Sequence, residues 1–129
     1  MDIVLNSKFF SELDPAALAA QVADLGYDGV DLCIRPGHPI DPENISRALS
    51  PAVAELHAAG LQCPLVTAPV DFSDPPDPAA ERLYAACAEA GTSYCALPGE
   101  SAWVRELLDR HADTARTTGA KLGSFCGHD

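Results

Sequence analysis

The sequence predicts an α/β fold built on a parallel sheet, and three observations carry that prediction. The first is a repeated plan: "LGYDGVDLCI", "AGLQCPLVTA", "AGTSYCALPG" and "TGAKLGSFCG" each place a glycine just ahead of an apolar run. Those glycines, Gly26, Gly60, Gly91 and Gly119, stand 34, 31 and 28 residues apart, close to the length of one βα unit. A glycine just past a helix accepts the left-handed conformation that satisfies the last carbonyls. The second observation is a helical apolar stripe ahead of each glycine. The third is that most strand-like segments are apolar runs rather than alternations, as in strands covered on both faces.

The elements follow in order. "DIVLNS" opens the chain as a strand. Asp14-Pro15 supplies an N-cap and a first-turn proline, and Leu18, Val22 and Leu25 then fall on one helical stripe. "GVDLCI" is the second strand. The connection "RPGHPIDPENISRAL" is expected to hold an extra short helix from about Asp41. The second full helix is expected to start at Ser50-Pro51, with Leu49, Ala52, Val53 and Leu56 on its apolar face.

"CPLVTA" reads as the third strand and "PVDFSDPPDP" as a proline-rich loop. Asp77-Pro78 starts the third helix, with Leu83, Cys87 and Ala90 inward. After the strand "SYCALP", a fourth helix begins near Ser101 with Val104, Leu108, His111 and Ala115 on one stripe, and "KLGSFC" closes the pattern. The chain reads β-α-β-α-β-α-β-α-β, as one domain over residues 1–129.

Composition narrows the function. The formal net charge is −11, and Lys8, Arg35, Arg47, Arg82, Arg105, Arg110, Arg116 and Lys121 are scattered, so nucleic acid and anionic membrane surfaces are disfavoured as partners. No apolar run approaches the roughly 18 residues of a membrane helix. "MDIVLNSKFF" has no basic region followed by a long apolar segment, and the expected location is the cytoplasm. Five cysteines, an odd number without Cys-x-x-Cys spacing, argue against a disulfide framework or zinc knuckle. Cys33, Cys63 and Cys95 are expected to pack as small apolar residues in strands.

"GYDGVDLCIRPGHPIDPENI" resembles the second βα segment of the sugar phosphate isomerase/epimerase family, the xylose isomerase-like TIM barrels. The matching positions are Leu25 to Gly29, Val30 to Leu32, and Arg35 to Gly37. The other units match at the level of plan. The resemblance implies a partial (β/α)8 barrel: about four βα units plus the start of a fifth strand, where a complete barrel needs about 250 residues.

It also implies metal-assisted isomerisation or epimerisation of a small sugar or polyol by a complete barrel. The family's divalent metal (Mn, Mg, Zn or Co) is held by carboxylates and a histidine at the ends of strands five to eight. The first ligand there is usually a glutamate closing strand five. In this sequence that place reads "LGSFCGHD": His128 and Asp129 are metal-capable residue types but do not match the pattern. The isolated chain is therefore expected to be inactive. Two alternatives stand beside this reading. One is a half-barrel without catalysis that associates with itself or a partner through its open edges. The other is a dehydratase, aldolase or hydrolase on the same architecture.

The candidate substrate-binding residues are Asn6, Arg35, His38, Thr67 and Glu100, all at or just after strand ends. Arg35 precedes the turn pair Pro36-Gly37 and either grips a substrate oxygen with its planar fork or pairs with Asp31 or Asp41. His38 is a proton shuttle, metal ligand or hydrogen-bond donor, or else a solvated loop imidazole. Asn6, Ser7 and Thr67 either position substrate hydroxyls or cap strand ends. Glu100, near Trp103, suits sugar binding and equally suits a helix N-terminus. Asp31 inside "VDL" is expected to form a structural ion pair. His57 and His111, on helices, are read as structural.

Overall fold

The computed structural model describes residues 1–68, 78–92, 95–98, 102–120 and 122–125. Five strands, β1 (Val4–Asn6), β2 (Gly29–Cys33), β3 (Gln62–Thr67), β4 (Cys95–Pro98) and β5 (Leu122–Phe125), alternate with four helices: α1 (Pro15–Asp24), α2 (Ile45–Ala58), α3 (Pro78–Ala90) and α4 (Ala102–Thr118). The strands form one sheet in the order β1-β2-β3-β4-β5, and every neighbouring pair is parallel. Sequential parallel strands joined through helices are the repeating unit of a (β/α)8 barrel, and this chain forms part of one. No described helix is long and apolar enough to cross a membrane.

Local signals set the first unit. Asp14 accepts a hydrogen bond from the Ala17 N–H at 2.8 Å, and Pro15 occupies the first turn of α1. After Leu25 the chain turns through Gly26 at φ +81°, a conformation that costs glycine no Cβ clash. Gly60, Gly91 and Gly119 also have positive φ. Gly91 is further constrained: a Cβ there would meet the Thr118 carbonyl oxygen at 2.9 Å, so α3 and α4 approach closely at that point.

The second helix departs from the sequence expectation. It begins at Ile45 rather than at Ser50-Pro51, runs through Pro51, and replaces the short extra helix expected from Asp41. Residues 41–44 form a turn instead. Asp41 Oδ1 accepts from the Glu43 and Asn44 N–H groups, and Asn44 Oδ1 accepts from the Asp41 N–H. The physical reason is the length of the apolar stripe. Ile45, Leu49, Ala52, Val53 and Leu56 are all buried. Burying Ile45 and Leu49 contributes about 1.5–3 kcal/mol each. Proline within a helix costs about 3 kcal/mol, because it removes one backbone hydrogen bond and crowds the preceding turn. The stripe wins.

The core lies between the sheet and its helices. Val30, Leu32 and Val66 project from the strands and join Leu18, Val22, Leu49, Val53, Leu56, Leu83 and Tyr84 from α1, α2 and α3 in one buried cluster. The opposite, inner face of the sheet carries Asn6, Asp31, Leu65 and Thr67, all partly exposed.

One irregularity decides which residues reach that inner face. Gly29 pairs with Gln62, yet Asp31 pairs with Leu65, so two steps along β2 correspond to three along β3. The extra residue lies in the segment that contains Pro64, in a central strand. Proline has no N–H to donate to a ladder and is tolerated inside sheets at such bulges. Beyond the bulge, Cys33 pairs with Thr67, and Thr67 therefore shares a face with Asp31.

Candidate functional site

The site is assembled at the carboxyl ends of β1, β2 and β3, where the chain leaves each strand for its helix. Asn6 closes β1 and caps the 3-10 turn Ser7–Phe10, its Oδ1 accepting from the Lys8 N–H at 3.0 Å. That cap fixes the amide, and its Nδ2 donates to Asp31 Oδ2 at 2.7 Å. From the other side, Thr67 Oγ1 lies 2.8 Å from Asp31 Oδ1 and 2.9 Å from Oδ2, donating its one hydrogen to the carboxylate. Three strands thus contribute to one polar cluster with Asp31 at its centre.

The ion pair expected for Asp31 is not what the structure forms. Its hydrogen-bond partners are the neutral Asn6 and Thr67, because the register of the sheet places those two beside it. Burial pushes the Asp31 pKa above its ordinary value of 3.8, opposed by the hydrogen bonds from Thr67 and Asn6. Neutral partners stabilise the carboxylate less than a cation would, so desolvation prevails.

This has a measurable sign. The folded state holds the Asp31 proton more tightly than the unfolded chain, so this group's contribution to stability falls as pH rises from 3.8 through the raised folded value. Compared with an Asp31→Asn variant, the wild type is expected to lose ground across that window and to remain at a constant deficit above it. Urea midpoints of both chains at a series of pH values measure the difference. A difference that stays flat, or one that favours the wild type as pH rises, contradicts the assignment.

Arg35 and His38 stand on the next turn. The His38 N–H donates to the Arg35 carbonyl at 3.1 Å, with Pro36 and Gly37 between them and Gly37 at φ +83°. Proline followed by a residue of positive φ is the pattern of a type II turn. The Arg35 side chain is exposed, and no ion pair among the described residues includes it, with Asp31 or with Asp41. His38 is half-buried and lines a small cavity with Ser7, Phe10, Leu13, Cys33 and Ile40, with room for about one water molecule.

Ser7 is buried and structural in its contact, its Oγ accepting from the Cys33 N–H at 2.9 Å. The structure therefore brings Asn6 and Thr67 together on Asp31 and sets Arg35 and His38 on a shared turn. Glu100, His128 and Asp129 lie outside the described residues, as does the side chain of Trp103.

Cys33 and Cys63 do not add a nucleophile. Cys33 and Cys63 are buried free thiols, and Cys87 is buried as well. Burial raises the thiol pKa of Cys33, and that of Cys63 to about 12, where almost no reactive thiolate exists at neutral pH. For the divalent metal that the family resemblance implies, the described residues offer no matching donor set. Among them no three His, Cys, Asp or Glu side chains come together.

Fold and strand-end cluster together define half of a (β/α)8 barrel with a polar inner rim. Among solved structures, the chain is similar to D-psicose 3-epimerase in the presence of D-fructose and to D-psicose 3-epimerase with D-tagatose from Clostridium cellulolyticum H10. Each likeness has a TM-score of 0.54 at 16% identity and covers 95% of this chain and 51% of the other. At that identity the likeness shows the fold.

Sequence relatives point elsewhere. The chain is 34% identical over 101 residues to a trans-acting enoyl reductase of Mycobacterium tuberculosis, which is 78% of this chain but 23% of that protein. It is 45% identical over 47 residues to a trans-acting enoyl reductase of Mycobacterium leprae, 36% of this chain and 11% of that one. The chain thus spans less than a quarter of the length of these curated relatives. No family model matches it.

Proposed function

We propose that the chain is the first half of a sugar isomerase/epimerase-like barrel and binds a small sugar or polyol at the carboxyl ends of its strands. The observation that carries this reading is the meeting of Asn6, Asp31 and Thr67, from three adjacent parallel strands, on the partly exposed inner face. Barrel enzymes build their sites at that end from residues on several strands. Arg35 and His38, on the turn after β2, and Glu100, after β4, complete the proposed binding rim. The described residues supply no ligand set for a cation, so the role proposed for them is binding and orienting the substrate. Isomerisation or epimerisation belongs to a complete barrel.

The 34% identity to a trans-acting enoyl reductase favours a second reading, in which the chain is a segment of a nicotinamide-dependent reductase. One set of titrations separates the two. Under the first reading D-fructose, D-tagatose or myo-inositol gives saturable signals in saturation-transfer NMR, and NADH and NADPH do not. The reverse result supports the reductase reading and ends the first.

A further inference from the structure

The cluster around Asp31 has hydrogen-bonding capacity beyond its internal contacts, and that capacity has a definite sense. An asparagine amide carries two N–H hydrogens and one carbonyl oxygen. Asn6 engages its oxygen with the Lys8 N–H and directs its nitrogen at Asp31, which leaves a second N–H hydrogen. A threonine hydroxyl has a single hydrogen, and Thr67 directs it at the carboxylate, leaving only lone pairs on Oγ1. A carboxylate has about four lone-pair sites. Asp31 accepts from Asn6 and Thr67 and retains acceptor sites.

One spare donor beside several spare acceptors, on a half-exposed face, complements a ligand whose every polar group both donates and accepts. Alcohol hydroxyls do this. A phosphate or carboxylate would place like charge against Asp31, and an ammonium group would leave the Asn6 N–H facing another donor. The geometry points to Asp31 as a ligand-binding residue for a neutral vicinal diol. One hydroxyl donates to the Asp31 carboxylate, the adjacent hydroxyl accepts from Asn6 Nδ2, and Thr67 holds the carboxylate in place. This rests on the sugar-binding reading and deepens it: it assigns the contact to a residue whose sequence context suggested only a structural role, and it specifies an uncharged part of the ligand.

The test uses D-fructose as probe, titrated into the full chain and followed by NMR, with thermal melts of each variant recorded in parallel. Asp31→Asn keeps the shape but loses the charged acceptor. It is expected to bind D-fructose about ten- to a hundredfold more weakly, the usual effect of losing a hydrogen bond to a charged group. Thr67→Val keeps the side-chain shape, frees the carboxylate and is expected to weaken binding several-fold. It supplies the decisive readout if Asp31→Asn fails to fold.

Binding of D-fructose by the folded variants within twofold of wild type overturns this inference and leaves the sugar-binding reading intact. A wild-type chain that binds none of D-fructose, D-tagatose and myo-inositol overturns both. The two failures are therefore told apart by which protein shows them.

Discussion

Gly29→Ala is expected to destabilise the chain by about 3 kcal/mol, the upper end of the cost of forcing extra volume into a packed interior. The added Cβ would lie 2.6 Å from the Gln62 carbonyl oxygen and 3.2 Å from its carbonyl carbon. Both are backbone atoms of the neighbouring strand, so no side chain can swing away to make room. Relief requires β2 and β3 to separate where the Gln62 N–H donates to the Asp28 carbonyl and where Gly29 pairs with Gln62. Domains of this size are stable by about 5–15 kcal/mol in total, so such a loss is a large fraction of the whole. Urea unfolding followed by circular dichroism measures it. A loss below about 1 kcal/mol would mean that the strands part more easily than a paired parallel ladder should.

The second large effect is expected at Tyr84. It is fully buried in α3, between Leu83 and Cys87 in sequence, and it belongs to the core shared with α2 and the sheet. Tyr84→Ala removes a whole aromatic ring and leaves a cavity that the surrounding helices fill only in part. The expected cost is about 3–5 kcal/mol, read as a lower urea midpoint. A change under about 1 kcal/mol would show that α3 does not anchor the layer it packs against.

Tyr84 also shows where reading a sequence stops. The stripe Leu83, Cys87, Ala90 was legible because helical spacing is a local property, and it led to the right face of α3. How wide that face is depends on what packs against it, and the width takes in Tyr84. The order of strands and helices was legible for the same local reason: Gly26, Gly60, Gly91 and Gly119 each mark a helix end by a conformation few other residues adopt.

The start of α2 was not legible. Ser50-Pro51 is a good helix beginning in isolation, but the burial of Ile45 and Leu49 is a tertiary effect that overrides it. Asp31 is a similar case. Its position in an apolar strand signals a carboxylate that needs partners, and Asn6 and Thr67 are visible as polar strand ends. That the three meet follows from register, which depends on an extra residue in β3 that no hydrophobic pattern announces. Arg35 and His38 could be placed on a turn because Pro36-Gly37 specifies one.

The bulge in β3 has a consequence for how this chain can change over generations. Along a strand, successive side chains alternate between faces, and the bulge in the Pro64 segment absorbs the extra residue, so Leu65 and Thr67 still face the way Asp31 and Cys33 do. Deleting one residue there would straighten the ladder and leave Leu65 opposite Asp31 and Thr67 opposite Cys33. An inserted residue without a second bulge would instead turn Val66 to the face of Asp31 and Thr67 into the apolar layer against the helices. The strand can lose one residue and keep both faces, whereas a gain of one reverses them. Strand length is therefore free to drift here in one direction only.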